Sequence, residues 1–181
     1  MPTSITGSGQ ITSTSGKIST TGAFVSPNSV LQRVYAQKQS GASHIQTTNT
    51  TDQTLDLEVT ITPKFSNSVI MVEWYSMMAY GGASGWLNAM LYRKIGSGSY
   101  DPIIAKGTSS WASTSYPYLG WMHTESSWGP RNLVYFDTPN TTNSIIYQLR
   151  YSKWTTESSQ TNYLVHQGQH YYGWILTEIA Q

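Results

Sequence analysis

The chain has 181 residues, and its 25 Ser and 23 Thr outnumber 19 charged side chains that sum to a formal charge of +1. This balance lacks the basic stripe that phosphate contacts require, so nucleic-acid binding is not expected. Because cysteine is absent, disulfides, thiolate zinc sites and cysteine nucleophiles are excluded. The start lacks a signal-peptide pattern, and no window approaches the ~20 apolar residues of a membrane helix, so we expect neither secretion by the usual route nor membrane insertion.

Residues 1–28 form a Ser-, Thr- and Gly-rich segment with one charged residue, Lys17, and isolated isoleucines at Ile5, Ile11 and Ile18. Three isoleucines bury too little area to offset the ordering of so many residues, which costs ~1–2 kcal/mol each. Segments of this composition become ordered by adding strands to a neighbouring chain. We therefore predict an extended N-terminal arm that attaches through these isoleucines; folding of the arm back onto its own domain is the alternative.

Residues 29–181 show the pattern of β strands. The clearest is 54–62, TLDLEVTIT, in which apolar and polar residues alternate as they do in a half-buried antiparallel strand. Gly96-Ser97-Gly98 predicts a hairpin tip. No stretch shows the i, i+3, i+4, i+7 recurrence of a helix, so we predict an all-β, jelly-roll-like antiparallel sandwich. Its further strands are predicted at 30–38, 69–78, 86–95, 103–106, 133–137, 144–153, 163–165 and 171–179.

Aromatic residues supply much of the apolar material, with seven Trp and 13 Tyr against three Phe. Trp and Tyr combine a large ring with a hydrogen-bonding edge, which suits cores, subunit interfaces and sugar-binding grooves. Trp74, Trp86 and Trp174 fall inside strand patterns and are predicted to be core residues. Residues 109–129 alternate poorly but are dense in aromatic side chains. The candidate glycan contacts there are Trp111, Tyr116, Tyr118, Trp121, His123 and Trp128.

No reaction can be assigned from the sequence. Glu73, in the apolar run 69–78, is the candidate acid for a polysaccharide hydrolase. Alternation instead favours an outer or intersubunit face that carries Glu73, with Ile70, Val72 and Trp74 on the buried face. His166 and His170 have a metal-binding spacing only on a helix; in a strand they stand ~13 Å apart, too far for one ion. We therefore predict no catalytic residue, no metal and no cofactor.

Several segments resemble short virion structural proteins of tailed bacteriophages, notably those of marine bacteria and cyanobacteria. They are ITSTSGK at 11–17, VLQRVYAQK at 30–38, VTITPKFSNSVIMV at 59–72, YFDTPNTTNSIIYQLRY at 135–151 and WILTEIAQ at 174–181. Together they extend over most of the chain. Two departures are the run Ile70-Met71-Val72-Glu73, where the similar proteins are aliphatic, and the Trp-rich region 109–128, which is this protein's own.

The resemblance implies a non-enzymatic virion protein, made in the host cytoplasm and displayed on the particle surface. We expect a homotrimer, because closed symmetry covers strand edges and aromatic faces. The arm would bind another virion protein of the tail, the baseplate or the capsid. A tail-fibre component that binds host surface glycan is favoured; the alternatives are a capsid decoration (cement) protein and, remotely, the hydrolase.

Overall fold

The computed structural model describes residues 26–39, 41, 45–47, 51–80, 87–104, 129–153, 162–165 and 170–181. Regular structure within these residues is entirely β. The strands are β1 (Val30–Gln39), β2 (Ile45–Thr47), β3 (Gln53–Ile61), β4 (Val69–Tyr80), β5 (Leu87–Ile95), β6 (Tyr100–Ile104), β7 (Gly129–Asp137), β8 (Ile145–Lys153), β9 (Asn162–Val165) and β10 (Tyr171–Ile179). Only β2 was not predicted, because three residues are too few for an alternation pattern.

The strands form two antiparallel sheets. In the first sheet β4 and β10 are central, since β4 pairs with β7 and β10, and β10 also pairs with β1. The short strand β9 pairs with the end of β4 at Ala79 and Tyr80, and β2 pairs with β9. The second sheet has the order β3-β8-β5-β6. Each sheet therefore has a polar or solvent-facing side and a side that faces the other sheet.

The pairing follows the course of one long hairpin. β5 pairs with β6 at its tip, and the successive outer pairs are β4 with β7, β3 with β8, and β1 with β10. These pairs fall alternately in the second and first sheets, which is the winding of an eight-strand jelly roll. At the tip, Gly96 has a φ of 54° and Gly98 N donates to Ile95 O at 3.0 Å. The predicted fold class and hairpin tip are thus confirmed.

The core lies between the two sheets. Trp74 and Trp174 are buried with ring centroids 4.9 Å apart, and Trp174 Nε1 donates to Leu57 O at 3.0 Å, which joins the first sheet to the second. The core placement of these two tryptophans is confirmed, whereas Trp86 lies outside the described residues. Among the described residues, the largest fully buried side chains are Leu55, Ile61, Ile70, Met90, Leu91, Ile145, Tyr147, Leu149, Tyr172, Trp174 and Leu176.

One open side of the sandwich is closed by contacts between β1 of the first sheet and β3 of the second, which we call the seam of β1 and β3. Lys38 forms an ion pair with Asp56, and Tyr172 Oη donates to Asp56 at 2.9 Å. Partial burial opposes ionisation of Asp56, but the hydrogen bonds from Lys38 and Tyr172 outweigh it and lower its pKa. Lys64 Nζ also donates to Leu31 O at 2.8 Å. Because exposed ion pairs contribute at most ~1 kcal/mol, this seam mainly sets the alignment of the sheets.

Two backbone hydrogen bonds lie next to the predicted boundary between arm and head at residue 28. Asn28 N donates to Ala180 O at 2.8 Å, and Ala180 N donates to Ser29 O at 2.9 Å. These bonds continue the pairing of β1 with β10 to residues 28 and 29, and the division into arm and head stays a prediction. The predicted arm isoleucines, Ile5, Ile11 and Ile18, lie outside the described residues.

Candidate interaction surfaces

The outer face of the first sheet carries the side chains that point away from the core on four paired strands. Residues paired across β7, β4, β10 and β1 form rows on this face. One row consists of Phe136, Met71, Thr177 and Arg33, and the next consists of Val134, Glu73, Ile175 and Tyr35. The whole face comprises Val30, Arg33, Tyr35, Gln37 and Gln39 of β1, Tyr171, Gly173, Ile175, Thr177 and Ile179 of β10, Val69, Met71, Glu73 and Tyr75 of β4, and Asn132, Val134 and Phe136 of β7.

This outer face is unusually apolar for a solvent-facing surface. Tyr35 is 63 % exposed, Phe136 58 % and Val134 54 %. An antiparallel sheet with one solvated side normally carries polar residues there, and exposed apolar patches mark contact surfaces. The outer face is therefore the strongest candidate interaction surface in the part of the chain that the structure describes.

Tyr75 and Gly173 show that the middle of the outer face is closely packed. A Cβ at position 173 would lie 2.7 Å from Tyr75 Oη and 2.4 Å from Ala36 O, so only glycine fits beneath the tyrosine ring. Burial raises the pKa of Tyr75. The Tyr75 ring therefore lies directly against the backbone of β10 at Gly173.

Glu73 lies within the same face, between Val134 on β7 and Ile175 on β10. Its side of β4 is half-buried, whereas Ile70, Val72 and Trp74 are buried on the other side, as alternation predicted. Among the described residues it has no hydrogen-bond or ion-pair partner, and the face carries no second carboxylate. A paired-acid hydrolase centred on Glu73 therefore lacks its second acid within the described chain.

The outer face of the second sheet contrasts with the first, because its polar groups pair with one another across four strands. Tyr100 Oη donates to Glu58 Oε1 at 2.7 Å, and Gln148 donates to the same oxygen. Arg150 Nε donates to Gln148 Oε1 at 2.8 Å, and its guanidinium lies 4.0 Å from the Tyr92 ring centroid. Such mutually paired charges are typical of a solvated surface.

Replacing Tyr100 with phenylalanine should make stability less sensitive to alkaline pH. Burial, followed by the hydrogen bond to Glu58, raises the pKa of Tyr100 from 10.0 to about 12. The pKa of Tyr100 is higher in the folded than in the unfolded chain, so its protonated hydroxyl stabilises the fold. This contribution is complete below pH 10.0 and is lost as the pH rises through about 12. Urea unfolding measured across that range tests the prediction. Tyr171→Phe, at an exposed tyrosine, is the control; equal alkaline slopes in both variants would contradict it.

Two buried carboxylates, Glu178 and Asp137, stabilise the fold, and neither was predicted from the sequence. Glu178 is fully buried on β10 and accepts hydrogen bonds from Gln32 Nε2 at 2.6 Å, Ser68 Oγ at 2.7 Å and Lys64 N at 2.7 Å. A longer bond comes from Phe65 N at 3.3 Å. This carboxylate therefore ties β10 to β1 and to the loop between β3 and β4.

Asp137, the second buried carboxylate, ends β7. It accepts hydrogen bonds from Arg93 at 2.6 Å and from Tyr147 Oη at 2.6 Å. Burial, and then the proximity of Asp137, raise the pKa of Tyr147, which favours the protonated donor. Because Arg93 and Tyr147 lie in the second sheet, Asp137 links the two sheets beside the core.

The predicted glycan contacts, at positions 111 to 128, lie outside the described residues. The segment that holds them joins the end of β6 at Ile104 to the start of β7 at Gly129. β6 is an edge strand of the second sheet and β7 an edge strand of the first. Topology therefore fixes both ends of this aromatic segment at the same side of the sandwich, opposite the seam of β1 and β3.

Neither a metal centre nor a membrane helix is found in the described ranges. No group of three or more His, Asp or Glu side chains there could hold a metal ion. His170 is described, but His166 is not, so the predicted separation of the pair is untested. None of the described segments forms a helix long and apolar enough to span a membrane.

No protein-family model matches the chain. A search of curated proteins likewise finds no match. Among solved structures, the chain is similar to a protein in the structure of the infectious bursal disease virus Gx strain, with a TM-score of 0.47 and 12 % identity over 83 % of this chain and 33 % of that one. It is also similar to the infectious bursal disease virus VP2 subviral particle, with a TM-score of 0.42 and 15 % identity over 84 % and 34 % of the two chains. The chain spans about a third of the length of these viral proteins.

Proposed function

We propose that the chain is a non-enzymatic structural protein of a bacteriophage particle, displayed on the particle surface as a homotrimer and anchored through residues 1–28. The outer face of the first sheet is the observation that carries this proposal. A jelly roll with few charges that presents Tyr35, Val134 and Phe136 to solvent is suited to packing against neighbouring subunits. The sequence resemblance to phage virion proteins supplies the kind of assembly.

Trimerisation is supported by the strand edges as well as by the apolar face. Among the described strands, β7 and β6 end the two sheets at the side opposite the seam of β1 and β3. Unpaired edges are prone to promiscuous pairing, and closed rotational symmetry covers edges and apolar faces together. A ring of copies therefore protects the features that a lone copy leaves open.

Within the particle, we propose a tail-fibre or receptor-binding role. The residues that would stack on host surface glycans are Trp111, Tyr116, Tyr118, Trp121, His123 and Trp128. They belong to a connection between two edge strands, β6 and β7, and binding residues are often carried on such connections over a rigid scaffold. Topology thus favours this segment over the strands for ligand contact.

Deletion of residues 1–28 should leave the head folded and abolish its incorporation into particles of the phage that encodes it. Particles purified from cells expressing the full chain or the truncated chain would be compared by quantitative mass spectrometry, with circular dichroism as the folding control. Incorporation of the truncated chain at the normal level would exclude the anchoring role. A copy number equal to that of the major capsid protein would indicate a cement protein, whereas a few copies per tail would indicate a fibre.

Trp111→Ala and Trp121→Ala should each reduce binding to host cells or to a glycan array at least about fivefold, since loss of one stacking ring removes ~1–3 kcal/mol. Trp154→Ala, outside the aromatic segment, is the matched control. Unchanged binding in both variants would rule out glycan recognition by this segment.

A further inference from the structure

We infer that the outer face of the first sheet is the surface on which a second copy of this chain packs, with Glu73 of one copy facing Arg33 of the next. The inference deepens the proposed function by naming the residues of the self-contact that a surface-displayed trimer requires. It rests on three properties of the face: its apolar character, its size and the placement of its two charges.

The apolar side chains of the face favour a protein partner over a nucleic acid or an anionic membrane. Five of the six exposed large apolar side chains in the described chain belong to β1, β7 or β10 of this sheet: Val30, Tyr35, Val134, Phe136 and Tyr171. The residues between them, Gln37, Thr177 and Asn132, are uncharged. A nucleic-acid or anionic membrane partner would require a basic surface, whereas an apolar, aromatic surface suits burial against protein.

The size of the face matches what a stable contact needs. Four strands spaced ~4.8 Å apart, each about eight residues long at ~3.3 Å per residue, give roughly 500 Å² in projection. Projecting side chains such as Tyr35 and Phe136 raise the accessible area above the projected area. Specific interfaces bury ~800 Å² of accessible surface per partner, so the face supplies most of that area to be shared between the two neighbours of a copy in a ring.

The two charges make the face complementary to itself. Glu73 on β4 and Arg33 on β1 are its only charged residues in the described chain, and they lie on opposite sides of the central strand β10. Arg33 Nε donates to Thr177 Oγ1 at 3.1 Å, which holds its guanidinium on the face. The half formed by β4 and β7 is thus acidic, and the half formed by β1 and β10 is basic.

The positions of Glu73 and Arg33 favour a closed ring of copies over association in variable orientations. When three copies turn their faces toward a common axis, the β4–β7 half of each copy meets the β1–β10 half of the next, so each Glu73 meets an Arg33 of its neighbour. Desolvation by the surrounding apolar residues then makes the charges decisive: the matched pair is tolerated, and two like charges in the same place are strongly unfavourable.

The test is the oligomeric state of the full chain and its variants by light scattering coupled to size exclusion, over a dilution series. The wild-type chain should be a trimer. Tyr35→Glu and Val134→Glu should raise the dissociation constant by roughly 100-fold or more, because each places a charge in an apolar contact. Thr60→Glu, which adds the same charge on the second sheet, should leave it unchanged. Thermal unfolding followed by circular dichroism verifies that each variant folds.

Charge reversal tests the pairing itself. Glu73→Arg and Arg33→Glu should each weaken association at least about tenfold, and the double variant should restore it. A monomeric wild-type chain, or face variants with wild-type mass, would overturn the inference. Failure of the double variant to recover would overturn the pairing of Glu73 with Arg33. Detection of the chain in particles is measured separately, so the virion assignment can stand or fall without the interface.

Discussion

Replacing Glu178 with alanine should lower the free energy of unfolding by about 3–4 kcal/mol, one of the two largest effects expected of a single side chain here. The carboxylate is fully buried and accepts hydrogen bonds from Gln32, Ser68 and the backbone of Lys64. Its removal leaves several donors without acceptors, and each unsatisfied buried donor costs ~1–3 kcal/mol. Water entering the space recovers part of that cost, which keeps the expected total below the sum.

Urea unfolding followed by tryptophan fluorescence, at one fixed protein concentration, measures this loss. Glu178→Gln keeps the size and one acceptor, so it should lose about half as much. Ser68→Ala removes a single donor, and a double-mutant cycle between positions 68 and 178 isolates their coupling, expected at about 1 kcal/mol. A loss below 1 kcal/mol in Glu178→Ala would show that solvent replaces the carboxylate with ease.

Asp137→Ala should destabilise the fold by about 3 kcal/mol for a different reason. It removes the partner of a largely buried cation, since the Asp137 and Arg93 side chains are 6 % and 24 % exposed. It also leaves the Tyr147 hydroxyl, which is 2.6 Å from the carboxylate, without an acceptor. Breaking one side of a buried pair costs ~3–5 kcal/mol, and the partial exposure of Arg93 puts this case at the lower end.

The same unfolding assay tests this expectation, with Tyr147→Phe as the matched control. That variant keeps the buried ring and removes one hydrogen bond, so about 1 kcal/mol should be lost. If Asp137→Ala cost no more than Tyr147→Phe, the ion pair with Arg93 would contribute nothing to stability. Replacement of both Asp137 and Arg93 by apolar residues should recover part of the loss.

Alternation of apolar and polar residues predicted most of the fold. The run TLDLEVTIT is β3 within one residue at each end, and the predicted strand at 171–179 is β10. Such patterns are readable because burial on one side of a strand imposes a period of two. β6 was predicted at 103–106 but spans Tyr100–Ile104. It includes Pro102, a residue that edge strands tolerate, and β6 is an edge strand.

The outer face was only partly foreseen. Alternation put Glu73 on an outer or intersubunit side, but the rows that join it to Val134, Ile175 and Tyr35 depend on strand order. Strand order in a jelly roll is set by pairings between distant segments, which no local pattern encodes.

The buried carboxylates could not be found from sequence for the same reason. Glu178 lies 110 residues from Ser68, and Asp137 lies 44 residues from Arg93. The sequence around a carboxylate in an apolar strand does not show whether hydrogen-bond donors lie within its reach. In both cases the sequence offers only an acid on the apolar side of a strand, which marks an unusual position without indicating its hydrogen-bond donors.

The winding of the hairpin also determines when the first sheet can form during synthesis. β10 lies between β1 and β4 in the first sheet and follows both of them in the chain, so this sheet cannot be completed before β10 has been synthesised. Until β10 has been synthesised, the edges of β1 and β4 that it joins are unpaired, and unpaired strand edges promote aggregation. Residues 1–28 precede β10 in the chain, so the proposed anchoring segment is available to a partner before the first sheet can be completed.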